Sequence, residues 1–126
     1  IDTVFDTNYI SELPRVDIVP SYAGADGTAI EAFISAGAKA IVVSTLAPGL
    51  PASPQMDAIK KALEKNIIVI YSTRAGSGRV LRRQSMIDSG IIAADNLNPQ
   101  KARVLAMLAL TKSTDTEVIQ NFFDLY

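Results

Sequence analysis

Short runs of apolar, mostly β-branched residues alternate with helical segments along most of this 126-residue chain. Runs of this length are typical of strands, and a continuous apolar run indicates a strand buried on both faces. The predicted strands are 15–20, 40–44, 67–71 and 90–94. Because no hairpin signal joins them, we expect parallel pairing, right-handed crossovers and helices on both faces. The sequence therefore predicts a small doubly wound α/β domain, Rossmann or flavodoxin-like, with a four-stranded parallel sheet.

The helix expected to begin at residue 99 has the clearest signals. Asn98 is a good N-cap, and Pro99 suits the first helical position because no amide is missed there. One broad apolar face is predicted to follow, and it is formed by Ala102, Val104, Leu105, Ala106, Leu108, Ala109 and Leu110. Lys101, Arg103 and Lys112 are expected in solvent. A last helix is expected after Thr114, which fits a capping box with Glu117.

Earlier helices are expected over 30–34, closed by Gly37, and over 56–63, closed by Asn66, whereas 79–89 has only weak helical character. In such folds ligands bind beyond the carboxyl ends of the strands. Here those ends lead into the loops 20–27, 45–54, 72–78 and 95–98.

Composition excludes several function classes. The net charge is −1, from 12 basic and 13 acidic residues, which gives no electrostatic case for nucleic acid or an anionic membrane. The sequence has no cysteine and no histidine, which excludes disulfides, thiol nucleophiles, Cys/His metal sites and an imidazole base. We expect no metal and no cofactor. The start at Ile1 predicts a fragment or processed product, and the compartment stays open between periplasmic or secreted and cytoplasmic.

Two loops could hold an anion, although the sequence favours structural roles for both. Residues 72–79 combine backbone amides with two arginines, but the Gly-Lys-Ser/Thr end of a P-loop is missing. Residues 24–27 lack the three-glycine spacing of a dinucleotide site and are typical of a turn.

Other polar residues leave alternatives open. Ser44 and Thr45 could offer hydroxyls at a strand end, but no base lies beside them in the sequence. Asp17, Asp26 and Asp95 have two explanations. They could form a cluster that binds a metal or acts as a general base, or each could simply cap a turn or lie at a strand edge, and we favour the turn caps and strand edges. The basic patch of Arg79, Arg82 and Arg83 predicts a subunit interface or, slightly favoured, a solvated face.

The C-terminal stretch resembles a known family. Residues 97–103 (Leu-Asn-Pro-Gln-Lys-Ala-Arg), residues 108–111, Ile119-Gln120 and the terminal Phe123 and Tyr126 are similar to the end of bacterial-type L-asparaginases and glutaminase-asparaginases. Residues 13–18, 36–42 and 72–74 follow in the family's order, so the resemblance spans nearly the whole chain.

The resemblance implies a fold and a role. Family members have two α/β domains, and their catalytic threonines, with a supporting aspartate and lysine, lie in the N-terminal domain. This chain resembles the C-terminal domain, so residues 1–14 would be a connecting segment and residues 15–126 the domain. No catalytic residue is expected in it. Implied partners are an amino-acid amide substrate, the N-terminal domain and further copies in a homodimer or homotetramer; no cofactor is implied.

The resemblance also implies substrate-lining positions lent to a neighbouring subunit. The family's asparagine after the second strand falls at Leu50, and its glutamate falls between Arg83 and Ser85, where no carboxylate stands. The candidate lining residues are Ser44, Thr45, Leu50, Arg83 and Ser85. Leucine cannot hydrogen-bond a substrate amino group, and the ammonium loses its ion-pair partner. The parent enzyme then binds that group differently, prefers another amide, or has reduced activity.

Two functions follow. The first is the C-terminal domain of an asparaginase-like amidohydrolase that releases ammonia from asparagine or glutamine, inactive as an isolated chain. The alternative is a non-catalytic binding or assembly module on the same scaffold. Because mean hydropathy is +0.22 and the last helix ends in Phe122, Phe123 and Tyr126, we also expect the chain to self-associate.

Overall fold

The computed structural model describes residues 13–45, 50–73, 80 and 82–126. Within these ranges the strands are β1 (Val16–Pro20), β2 (Ala40–Thr45), β3 (Ile68–Thr73) and β4 (Ile92–Ala93). The helices are α1 (Thr28–Ser35), α2 (Met56–Glu64), α3 (Gln84–Ser89), α4 (Pro99–Leu110) and α5 (Thr116–Leu125), and a 3₁₀ turn (Ser53–Gln55) precedes α2. Nearly all of the predicted connecting segment lies outside the described residues.

All four strands pair in parallel, in the order β1-β2-β3-β4. The predicted four-stranded parallel sheet is therefore confirmed. Each strand lies beside the next one in the chain, without reversal of direction across the sheet. The predicted fourth strand is shorter than expected because Gly90, at φ +76°, ends α3 in the left-handed conformation and pairing with β3 begins only at Ile92.

Both faces of the sheet are covered by helices, as predicted. On the first face, α1, α2 and α3 pack through residues such as Ile30, Ile59 and Met86. On the second face, α4 lies across β1, β2 and β3, and α5 lies against β4. The apolar core is thus divided into two layers by the sheet.

The start of α4 agrees with the prediction. The Lys101 amide donates to Asn98 Oδ1 at 2.8 Å, which makes Asn98 the N-cap. The predicted apolar face was too wide, because Val104 is 49% exposed while Leu105, one position on, is buried. Arg103 is exposed as expected, yet its Nε donates to the Val16 carbonyl at 2.7 Å and ties α4 to β1.

The predicted capping box at α5 is wrong. The N-cap is Asp115, whose Oδ1 accepts from the amides of Glu117 at 2.8 Å and Val118 at 3.4 Å. The helix begins one residue later than the threonine signal implied, so Glu117 cannot reach back to the cap. Its carboxylate instead accepts from Arg82 Nη2 at 2.6 Å, which joins the start of α5 to the segment before α3.

A buried glutamine closes the outer side of β4. The Ala93 amide donates to Gln120 Oε1 at 2.9 Å, and Gln120 Nε2 donates to the Ala93 carbonyl at 3.1 Å. The other side of β4 pairs with β3, where the Ala94 amide donates to the Tyr71 carbonyl. One side chain on α5 therefore makes the two bonds that a fifth strand would make with Ala93.

Candidate functional site

The carboxyl ends of the first three strands form an edge rich in hydroxyl groups. The residues concerned are Ser21, Ser44, Thr45, Ser72 and Thr73, and none of them is more than 6% exposed. Strand register places Ser44 opposite Ser72 and Thr45 opposite Thr73. The predicted candidates Ser44 and Thr45 therefore lie together in the middle of this carboxyl edge.

Hydrogen bonds show what two of these hydroxyls do. Thr45 Oγ1 donates to the Ser72 carbonyl at 3.0 Å, and Ser72 Oγ donates to the Leu97 carbonyl at 2.7 Å. Both bonds hold neighbouring backbone segments together at the strand ends. Neither places a carboxylate or an amine against a hydroxyl, which is what activation of a serine or threonine nucleophile needs.

Gln55 organises the first end of the carboxyl edge, a role that the sequence analysis missed. It is 1% exposed. Its Oε1 accepts from Ser21 Oγ and, at 3.2 Å, from the Ala52 amide, and its Nε2 donates to the Pro20 carbonyl at 3.2 Å. These bonds fasten the segment that precedes α2 to the end of β1. The sequence feature that could have indicated this role is the position of the glutamine directly after a Ser-Pro turn.

Leu50 and Ser85 lie on one cleft, which we call the α2–α3 cleft. It has a volume of about 280 Å³ and lies between the segment leading into α2 and the helix α3, over the end of β3. Tyr71 and Met86 also line it, and both side chains are buried. The structure thus brings together two of the five predicted lining residues, one from the segment before α2 and one from the helix α3.

The other candidates lie outside the α2–α3 cleft. Ser44 and Thr45 are on the carboxyl edge, and Arg83 precedes α3, where its carbonyl accepts from the amides of Met86 and Ile87. Arg83 as a whole is an exposed residue. The five predicted residues therefore do not form one continuous lining within this chain.

Tyr71 is the buried ionisable group of the cleft. Its side chain is only 2% exposed, and this burial raises the pKa of its phenol to about 12. The phenol therefore stays protonated at neutral pH and is available as a hydrogen-bond donor.

The three aspartates do not form a cluster. Asp17 pairs with Arg15 Nε at 2.8 Å, and Asp26 accepts from the Thr28 amide at 3.0 Å, which lowers the pKa of Asp26. Asp95 lies across the sheet, where it forms an antiparallel bridge with Val80. No group of three potential metal ligands occurs in the part of the chain that the structure describes. Turn caps and strand edges, the favoured interpretation, account for these positions.

The predicted basic patch is divided. Arg82 is engaged within the chain by Glu117, and the predicted Arg79 lies outside the described residues, as do residues 74–78 of the anion-loop candidate. The Arg82 guanidinium lowers the pKa of the Glu117 carboxyl. Among the described helices, none is long and apolar enough to cross a membrane.

Comparison of the sequence with models of protein families shows which family this chain belongs to. The model of the glutaminase/asparaginase C-terminal domain matches residues 15–123. The chain belongs to this family. As a member of the glutaminase/asparaginase C-terminal domain family, it shares with its relatives a domain that accounts for almost all of the described residues.

Individual relatives agree with the family match. The chain is 38% identical over 125 residues to L-asparaginase 2 of Bacillus subtilis, covering 99% of this chain and 33% of that protein. It is 36% identical over 126 residues to a glutaminase-asparaginase of Pseudomonas fluorescens, covering 98% of this chain and 35% of that protein. The chain therefore spans about a third of the length of these asparaginase relatives.

One part of a solved asparaginase structure has the same fold as this chain. The probable cytoplasmic L-asparaginase from Campylobacter jejuni matches with a TM-score of 0.93 and 42% identity. The match covers 98% of this chain and 40% of that one. The fold and the family thus agree.

Proposed function

We propose that this chain is the substrate-lining and assembly domain of an amidohydrolase that converts L-asparagine, or L-glutamine, into the acid and ammonia. The observation that carries the proposal is the family match over residues 15–123, supported by relatives named as asparaginases and glutaminase-asparaginases. In this proposal residues 1–14 connect the domain to a catalytic N-terminal domain, and residues 15–126 form the domain itself. Its partners are that N-terminal domain and further copies in a dimer or tetramer.

The hydrogen bonds of the carboxyl edge indicate that its hydroxyl groups have a structural role and do not act as nucleophiles. The hydroxyls of Thr45 and Ser72 donate to backbone carbonyls, and the chain has no histidine to serve as a base. We therefore assign acyl transfer to threonines of the N-terminal domain. The role of this chain is to lend Leu50, Arg83 and Ser85 to a neighbouring active site, while Ser44 and Thr45 hold the strand ends behind them.

Leu50 and Arg83 also favour a second candidate function. Where the family places an asparagine this chain has the apolar Leu50, and between Arg83 and Ser85, where the family places a glutamate, it has no carboxylate. Neither segment can pair with a substrate ammonium. A non-catalytic binding or assembly module on the same scaffold would show this pattern.

Ammonia release distinguishes these functions. We expect no release from asparagine or glutamine by the 126-residue chain alone, and release by the complete protein that joins it to a catalytic N-terminal domain. In that protein, Leu50→Asn with Arg83→Glu should lower KM for asparagine by about ten-fold, since a charged hydrogen-bonded pair contributes about 1.5–3 kcal/mol. Gln100→Glu, an exposed change on α4, is the control.

Two outcomes would reject the first function. Release by the isolated chain would show that it carries its own nucleophile. No release by the complete protein, before and after restoration of the asparagine and glutamate, would support the assembly module instead.

A further inference from the structure

The α2–α3 cleft has the size of a small-molecule site. Its volume is about 280 Å³, whereas an apolar cavity of roughly 150 Å³ is sufficient to bind benzene. Its floor is formed by the buried residues Tyr71 and Met86, and Leu50 and Met56 stand at its rim. A ring or short aliphatic chain with one polar substituent therefore fits it.

The lining of the cleft selects against charged ligands. Every described residue that lines it is uncharged, and the polar members are serines, including Ser85 and Ser89 on α3, and Tyr71. A buried carboxylate or ammonium would lose its hydration without gaining an opposite charge. The surface of the cleft matches an apolar body with a neutral polar group.

Tyr71 supplies a hydrogen bond that is not used within the described residues. The side chain is 98% buried, being 2% exposed, and it makes no hydrogen bond to any described residue. Among the described residues, Arg82 Nε is the only fully buried side-chain nitrogen or oxygen without a partner, so the Tyr71 hydroxyl keeps some access to solvent. Since Tyr71 lines the cleft, a ligand there can replace solvent as the acceptor of its hydrogen bond.

We propose that the α2–α3 cleft binds an uncharged small molecule that carries an apolar ring or chain and a carbonyl group, and that the Tyr71 hydroxyl donates a hydrogen bond to that carbonyl. Contacts with Met56, Met86 and Leu50 hold the apolar part. The cleft shares Leu50 and Ser85 with the proposed lining of a neighbouring active site, but the hydrogen bond and the apolar contacts that it uses all belong to this chain, so they can be tested on the chain alone.

The three methionines provide the measurement. Met56 and Met86 line the cleft, whereas Met107 packs on the opposite face of the sheet and reports non-specific effects. We would label the methionine methyl groups with ¹³C and titrate the full chain with benzamide, toluene and benzoate. Benzamide should shift the Met56 and Met86 signals saturably and leave Met107 in place. Toluene should bind about five-fold more weakly, because it lacks the hydrogen bond, and benzoate more weakly than both.

Two variants separate the hydrogen bond from the shape of the cleft. Tyr71→Phe removes only the hydroxyl, so it should weaken benzamide binding about five-fold and leave toluene binding unchanged. Ser89→Leu fills the cleft from α3 and should abolish binding of both probes. Tyr22→Phe, at an exposed tyrosine outside the cleft, is the matched control, and an unchanged Met107 signal verifies that each variant is folded.

Three results would overturn the proposal. The first is equal affinity of Tyr71→Phe and the parent chain for benzamide. The second is shifts of Met107 as large as those of Met86. The third is a shift of the Met56 and Met86 signals with chain concentration in the absence of any probe, which would show that a second copy occupies the cleft.

Discussion

Gln120 takes the place of a neighbouring strand at β4, and this can be measured. Gln120→Leu keeps the volume roughly constant but leaves the Ala93 amide and carbonyl without partners in a buried position. We expect a loss of about 2–4 kcal/mol in the free energy of unfolding, measured by urea denaturation. Asn121→Leu, at the adjacent exposed position, should change it by less than about 0.5 kcal/mol. Equal midpoints for the two variants would contradict the role given to Gln120.

The ion pair of Arg82 and Glu117 predicts a pH dependence of stability. The Arg82 guanidinium lowers the pKa of Glu117 below its ordinary value of 4.5. A carboxyl whose pKa is lower in the folded state stabilises the fold above the unfolded pKa, and this contribution is lost as pH falls through the folded pKa. Glu117→Gln should therefore flatten the decrease in Tm below pH 4.5.

The matched comparison for this ion pair is Arg82→Met. It should flatten the same part of the pH profile, and the double variant should flatten it no further, because both changes remove one interaction. A double variant with additive effects would show that the two residues act on stability separately.

Local hydrogen bonds explain which residues the sequence predicted correctly. Asn98 was recognised because its partner amide, Lys101, lies three positions away and Pro99 marks the helix start. The cap of α5 was assigned to Thr114 because Thr-x-x-Glu and Asp-x-Glu overlap there, and a pattern alone does not choose between adjacent caps. Gln55 and Gln120 could not be assigned, since their partners lie 35 and 27 positions away.

At the scale of elements, α1 and α2 approach each other at a glycine. A Cβ atom at Gly27 would lie 2.7 Å from the Ala58 Cβ, closer than two such atoms pack. Gly27 has φ −80°, which any residue adopts, so the constraint is steric. Gly27→Ala should lower the free energy of unfolding by about 1–3 kcal/mol through displacement of the two helices.

A double-mutant cycle tests this close approach. Ala58→Gly alone should cost about 1 kcal/mol, because glycine is unfavourable within a helix. Combined with Gly27→Ala it should cost less than the sum of the two changes, since the clash is removed. Additive losses would show that the helices do not meet at these two residues.

The strands could be predicted from the sequence, whereas the meeting of distant segments in the α2–α3 cleft could not, for one physical reason. A strand that is buried on both faces can be recognised in the sequence because its residues form a continuous apolar run. Both β2 and β3 are buried along their whole length. The α2–α3 cleft is formed by Leu50, Tyr71 and Ser85, which come from three separate segments. Periodicity predicts which face a residue occupies, but it does not predict which distant segments meet.

At the scale of the whole molecule, the exposed apolar surface lies partly on α4 and α5. Phe123 is buried and Phe122 packs against the second layer of the core. These two residues therefore do not form the exposed apolar surface that the sequence suggested for self-association. Tyr126, directly after α5, is exposed as the sequence suggested, and Val104, Val118 and Leu125 are exposed apolar residues of the two helices. The prediction of self-association stands on these four residues.

Sedimentation velocity checks the self-association. We expect the chain to form dimers or larger species as its concentration rises into the high micromolar range, and Val104→Lys with Leu125→Lys to shift it toward monomer. Gln100→Lys with Asn121→Lys adds the same charge at exposed polar positions of the same helices and serves as the control. A monomer at every concentration would reject the prediction, and an equal shift by the control would attribute the effect to charge.

The strand order has a consequence for the synthesis of this protein on the ribosome. Because each strand pairs with its immediate predecessor, β1, β2 and β3 can assemble in the order in which they emerge, with α1 and α2 covering the first face as they are made. Among the described elements, the second face is covered by α4 and α5, which emerge last because both follow β4. In a nascent chain paused before Pro99, the first face of the sheet is therefore covered by helices while the apolar second face is exposed to solvent. We expect chaperones to bind most strongly at that stage of synthesis.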